Sequence, residues 1–297
     1  MSRPELAAGG VIHDIGYRRY DGARLGRGYV LGSLYLQSLR STFGLGRSAR
    51  TKVLPILLLI ATVLPALIVV AVEVYTKQKA QLLSYNRYAM FLIPVIGIFV
   101  AAQAPQLISR DLRFRTVTLY FSRPLTREDY VLAKFGALTS ALFVLLSAPI
   151  LVLSVGGMLA KFGLWQQTKN LLAAELGALV FALVLAGVSA VLASATTRRG
   201  MGVAVIITVL SVSYTAAVAV QGIAQAYGNL NLAGYLGLFS PFTLADGVQI
   251  ALVNAPTSTP APPPGTGGET IFVLVAVGLV AGCYGLLLQR YRALNAS

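Results

Sequence analysis

The stretch Val53–Val72, VLPILLLIATVLPALIVVAV, decides the fold class. It contains no Asp, Glu, Lys or Arg. Twenty apolar residues in helix, at about 1.5 Å each, match a hydrocarbon core about 30 Å thick. Five further stretches are long and apolar enough: Tyr88–Ser109, Phe135–Leu159, Leu171–Ala195, Met201–Gln221 and Thr270–Gln289. Period-two alternation is missing, and an open sheet would leave its edge groups unsatisfied in lipid. The sequence therefore predicts an all-α polytopic membrane protein with six transmembrane helices.

The composition of the 297 residues agrees. Hydrophobic residues make up 56% and charged residues 11%, whereas a soluble domain carries roughly 25% charge. A soluble, disordered or collagen-like chain is excluded. The net charge of +14 would suggest nucleic acid in a soluble protein. Here its distribution explains it: nineteen of the 24 Lys and Arg fall on one side of the predicted spans and five on the other. Basic residues collect in cytoplasmic segments, so both termini are expected in the cytoplasm, and no nucleic-acid partner is needed. The first 52 residues are polar and basic, with no early apolar signal region. One cysteine, Cys283, and one histidine, His13, supply neither a disulfide nor a metal or redox cluster.

The connections divide the chain into a cytoplasmic leader (1–27), an amphipathic helix with a basic linker (28–52), and a six-helix domain (53–297). In Gly28–Phe43 the residues Leu31, Leu34, Tyr35, Leu36, Leu39 and Phe43 share one helical arc, as in a helix lying in the membrane interface. The connection after span two, ISRDLRFRTVTLYFSRPLTREDYVLAKF, occupies 108–135 and mixes charge with the apolar Leu112, Val117, Leu119 and Tyr120. Thr126 and Asp129 have capping-box spacing and start the third helix near Arg127. Residues 110–134 suit a docking surface. The segment 222–269 holds an apolar run broken by Gly234, Gly237 and Pro241, too short on either side to span. It is expected to be a re-entrant or interfacial helix, with a second capping-box spacing at Thr243 and Asp246. A Pro/Gly/Thr linker, APTSTPAPPPGTGGE, follows and is expected to be extended and mobile.

Several chemistries are missing. There is no P-loop, no H-E-x-x-H and no G-x-S-x-G, so neither ATP binding nor hydrolysis is expected of this chain. Glu73 and Glu175 are expected as solvated residues near outer span ends. Gly278 and Gly282 form one G-x-x-x-G, a packing feature with a faint hint of dimerisation. Gly177 and Gly187 thin out the fourth span.

Together these features resemble the type 2 ABC exporter permeases over roughly Gly28 to the end. In the 108–135 connection, Asp111, Thr116, Ser122, Pro124, Arg127 and Lys134 match the family's acidic residue, Thr, Ser-x-Pro, Arg and Lys, while Arg115 stands where the family has Gly. LFSPFTLAD, with Ser240, Pro241 and Asp246, resembles the segment before the family's last span. The resemblance implies the membrane half of an ATP-driven bacterial inner-membrane exporter. It implies a second permease chain, surrounding lipids, and a separate ABC ATPase subunit that carries the ATP and Mg. The chain itself would bind no cofactor or metal. Asp111–Lys134, including Leu119 and Tyr120, would be the ATPase-coupling loop, and spans one, two and five would lie nearest the path.

Other classes compete. A lipid-modifying enzyme would need clustered His, Asp or Ser, and an ion-coupled carrier would need midplane charge; neither is evident. A scaffold that uses ATP to move or assemble a partner stays open. No motif names a substrate: apolar walls suit lipids, peptides and drugs alike. The charge distribution predicts that a cysteine placed within Thr257–Gly268 reacts with a membrane-impermeant thiol reagent from outside intact cells, and that one at Ser2 does not. The reverse pattern contradicts it.

Overall fold

The computed structural model describes residues 26–46, 48–76, 83–113, 125–159, 163–196 and 198–293. The helices are α1 (Arg27–Thr42), α2 (Ala49–Thr76), α3 (Tyr85–Phe91), α4 (Ile93–Leu107), α5 (Ser109–Arg113), α6 (Arg127–Leu159), α7 (Leu164–Ala195), α8 (Arg199–Ala226), α9 (Leu230–Leu236), α10 (Pro241–Val253) and α11 (Gly265–Ala293). No strand occurs among the described residues. Six spans are long and apolar enough to cross a membrane: α2, α4 with α5, α6, α7, α8 and α11. The chain is an all-α polytopic membrane protein.

Spans two, three and four form the centre. More than half of each is buried, against about a fifth of spans one, five and six. Ile96, Phe99, Leu138, Leu142, Phe181 and Leu185 are fully enclosed there. Around this centre α2 packs on α6, α8 on α4, and α11 on α7. Lipid is the solvent for the outer faces, so residues such as Val53, Leu57, Leu64 and Ile68 on α2 stay exposed.

The stretch expected as the second span, Tyr88–Ser109, is not one continuous helix. It breaks at Leu92, and Pro94 sits in the first turn of α4. Proline lacks an N–H and its ring crowds the carbonyl four residues back, here that of Met90, which accounts for a break at this place. The preceding turn is held by hydroxyls: Tyr88 donates to the Thr62 carbonyl at 2.6 Å, and Tyr85 donates to Gln167 Oε1 at 2.5 Å.

The amphipathic helix forms at the expected residues, but protein covers most of its arc. Leu34 is buried, Leu31, Tyr35, Leu39 and Phe43 pack on the core, and Tyr35 donates to Ser140 Oγ at 2.8 Å. Leu36 alone of the predicted arc points outward, 49% exposed.

The segment before the last span is a bent pair. Leu230–Phe239 and Pro241–Val253 meet at 120°. Ser240 is extended, as a residue before proline prefers, and its hydroxyl accepts the Phe242 N–H at 3.3 Å. Two expectations are corrected here. Ser240, not Thr243, caps the helix; the Thr243 hydroxyl donates instead to the Gly237 carbonyl. Asp246 accepts the Ser258 N–H at 3.2 Å and so ties the Pro-rich linker down. That linker lies against α9: Ala261 is buried, and a Cβ on Gly234 would meet the Pro262 carbonyl oxygen at 2.6 Å. Prolines reduce what the chain loses on ordering, and a glycine gives them a flat surface to lie on.

Glycine use also differs from expectation. Among the described residues no other element comes within 4 Å of a Cβ built on Gly278 or Gly282. The close approaches are elsewhere. A Cβ on Gly177 would meet the Gln249 side chain at 2.8 Å, and one on Gly187 would meet Cys283 Cβ at 3.3 Å. On Gly156 it would stand 2.2 Å from Val70 Cγ2 and 2.9 Å from Val70 Cβ, joining spans one and three. Val is stiff at χ1 and cannot turn aside. Gly156→Ala is therefore expected to destabilise by about 1–3 kcal/mol through overpacking, while Gly278→Ala is neutral or slightly stabilising. Thermal unfolding in detergent distinguishes them, and equal midpoints would contradict the assignment.

Candidate functional site: a polar base beneath spans two and three

Most charged residues of the described segments, though not Glu73, Arg87, Lys169, Glu175, Asp246 or Glu269, lie towards one end of the bundle. There α5 ends span two and α6 begins span three. Asp111 and Lys134 form an ion pair at 2.8 Å, with side chains only 7% and 9% exposed. The Tyr130 hydroxyl donates to Asp111 Oδ2 at 2.9 Å. Lys134 Nζ lies 5.5 Å from the centre of the Tyr130 ring, whose face or edge also meets Tyr291 of α11 at 5.1 Å in a T-shaped pair. A buried ion pair offsets its desolvation only when geometry and extra hydrogen bonds are good. Here a phenol and an aromatic face supply both.

A second pair lies one turn earlier on α6. Arg27 Nε and Nη2 donate to Asp129 Oδ2 and Oδ1 at 2.6 and 2.8 Å, a bidentate fork. Arg27 also donates to Thr126 Oγ1 at 3.0 Å. Thr126 and Asp129 form the predicted reciprocal capping box: the Asp129 N–H donates to Thr126 Oγ1 at 3.3 Å, and the Thr126 N–H donates to Asp129 Oδ2 at 3.0 Å. The hydrogen-bonded carboxylate raises the Arg27 pKa above its ordinary value, so the guanidinium stays charged and joins α1 to α6. Arg27 is itself 58% exposed, so solvent screening weakens this contact relative to the Asp111–Lys134 pair.

Two more contacts complete the base. The Ser109 hydroxyl donates to the Ala193 carbonyl at 2.7 Å, fixing span two to the end of span four. Gln106 Nε2 donates to the Ser41 carbonyl at 3.2 Å, fixing span two to the end of α1.

Of the residues expected to form the coupling loop, Asp111, Arg127 and Lys134 are described. Asp111 and Lys134 are paired, and Arg127 is the first residue of α6. Thr116, Leu119, Tyr120, Ser122 and Pro124 lie outside the described residues, as does the leader before Gly26. Sequence reasoning missed Arg27, Tyr130 and Tyr291. Asp129 gave a signal through its capping-box spacing, but Tyr291 gave none. Two carboxylates are corrected. Glu73 is buried, 3% exposed. Glu175 lies three turns inside α7, because that helix begins at Leu164, and Ser147 Oγ donates to its Oε2 at 2.5 Å. Among the described residues no group of His, Cys, Asp and Glu could hold a metal ion.

Towards the other end, α3 and spans two and five line a half-open cavity of about 560 Å³. Pro94 and Gly97 line one wall and Leu210 the other, and Phe242 of α10 closes it. Ser211, Tyr214 and Thr215 are its hydroxyl groups. Tyr214 and Phe242 meet edge to face at 5.7 Å. A largely apolar cavity of this size with a few hydroxyls can hold an amphipathic small molecule.

The buried pair yields an expectation. Lys134→Met takes the ammonium away from the buried Asp111 carboxylate, at a cost of about 3–5 kcal/mol. Adding Asp111→Leu should recover most of it, because a matched apolar replacement of a buried pair is often neutral. Thermal unfolding of the single and double variants checks this. A double variant no more stable than the single would contradict the pairing.

No curated protein matches the chain in sequence. One family model does match, described as ABC-2 family transporter protein, over residues 40–291. That interval takes in five spans whole and the sixth up to Tyr291, with the Asp111–Lys134 pair and the bent pair of helices. The chain belongs to the ABC-2 transporter family, as a multi-pass membrane permease component of an ABC transporter.

Proposed function

We propose that this chain is one membrane half of an ATP-driven exporter in a bacterial inner membrane. It pairs with a second permease chain, and a separate ATPase subunit carrying ATP and Mg docks on the polar base, which faces the cytoplasm. The basic residues clustered at that end support this orientation. The docking element is Asp111–Lys134. The observation that carries the reading is the buried ion pair: Asp111 and Lys134 lie at the two ends of this segment and are bonded to each other. A push on the segment therefore reaches spans two and three together. Substrate moves along the cavity between spans two and five, where apolar walls and three hydroxyls favour amphipathic compounds.

The test uses the chain co-expressed with its ATPase. An interface rests on a few apolar anchors, and truncating one costs about 2 kcal/mol, roughly thirtyfold in affinity. Leu119→Ala with Tyr120→Ala should lose the ATPase on co-purification while the permease still inserts. Arg123→Gln should change mainly the salt dependence. Full retention of the ATPase and of transport by the double variant would move the docking site away from this loop.

A further inference from the structure

A second groove lies between α6, α7, α10 and α11, on the side of the bundle away from the cavity just described. Its volume is about 430 Å³. Its floor is built by Val184, Val248 and Ala276, all buried, and its rims by Leu132, Leu252 and Val277, each about half exposed or more. Every lining side chain is apolar except for the Tyr284 hydroxyl. On α11 the lining residues recur at Val273, Ala276, Val277, Val280, Ala281 and Tyr284. That stripe is one helix face about 16 Å long.

Both walls lead to the same charged pair. Four-residue steps from Tyr284 along α11 reach Leu288 and then Arg292, and one such step from Leu132 back along α6 reaches Glu128. Arg292 Nη2 and Glu128 Oε1 stand 3.6 Å apart, with side chains 60% and 63% exposed. Such a loose, exposed pair contributes little to stability. It offers one cation and one anion side by side, at the end of a slot open to lipid.

We propose that this groove binds one phospholipid with a phosphoethanolamine headgroup, one acyl chain lying along α11, the phosphate on Arg292 and the ammonium on Glu128. The physical case rests on charge complementarity. A guanidinium fork suits a phosphate, and a primary ammonium donates hydrogen bonds to a carboxylate. A glycerol headgroup would satisfy Arg292 through the same phosphate but would offer the Glu128 carboxylate only neutral hydroxyls, with no cation to balance its charge. A choline headgroup has no N–H to donate. The acyl slot supplies affinity through apolar contact, and the pair supplies selectivity. The site does not rest on the transport reading, although Glu128 and Leu132 belong to the Asp111–Lys134 segment proposed as the docking element.

The probe is palmitoyl-oleoyl phosphatidylethanolamine, titrated against the phosphatidylglycerol of the same chains. The full-length chain is delipidated in detergent and followed by native mass spectrometry. The first phosphatidylethanolamine is expected to bind about tenfold more tightly than the first phosphatidylglycerol. Ala281→Phe fills the slot from an exposed position and should remove that first tight site. Glu128→Gln leaves the slot intact and should abolish the preference between headgroups; it carries the test alone if the first variant folds poorly. Equal binding of the two lipids by the unaltered chain, or a preference that survives Glu128→Gln, would overturn the proposal.

Discussion

The contact on which the base depends is the ion pair between Asp111 and Lys134. Charges of this kind are costly to remove from water, and this pair is nearly enclosed. It persists because the Tyr130 hydroxyl takes up part of the hydrogen-bonding capacity of Asp111 and the Tyr130 ring face meets the ammonium. Tyr130 in turn meets Tyr291, so the last helix is drawn into the same cluster. Spans two, three and six are thus joined at one end by a few polar side chains, where most of their length is joined by apolar contact.

Above the base the packing follows a simple division. The central spans two, three and four exchange large side chains, while spans one, five and six each bury one strip and leave the rest to lipid. Close approach is reserved for particular glycines. Gly156 admits Val70, and Gly247 admits the buried Phe272 ring, whose Cδ1 would lie 2.2 Å from an added Cβ. The bent pair of helices is held by the second of these, by Ser240 at its vertex and by the Asp246 tie to the linker. The cavity between spans two and five therefore has one wall on the deeply buried span two, a cap at Phe242, and one wall on span five, most of whose surface is exposed.

Much of this was legible in the residues. The lack of charge across Val53–Val72 determines the solvent, and the solvent determines helix. Thr126 and Asp129 place the start of α6 because a capping box is local chemistry. The failures were non-local. Thr243 and Asp246 have the same spacing as Thr126 and Asp129, yet Pro241 starts the helix earlier and frees Asp246 to bond Ser258. Glu73 and Glu175 looked solvated because their helices extend beyond the apolar windows that defined them. Gly278 and Gly282 have packing spacing, but among the described residues no other element comes near them. The Asp111–Lys134 pairing joins residues that the family resemblance named separately; only the meeting of two helix ends brings them together.

The central claim is that spans two and three move as one unit under the coupling segment. Double electron–electron resonance between spin labels at Arg110 and Leu132, both exposed near the base, tests it directly. The measurement is made on the permease with its ATPase, first without nucleotide and then with nucleotide trapped. The account predicts that this intrachain distance stays constant within the width of its distribution. A shift of the distribution on trapping would contradict it, because the two helix ends would then separate while the pair that joins them broke.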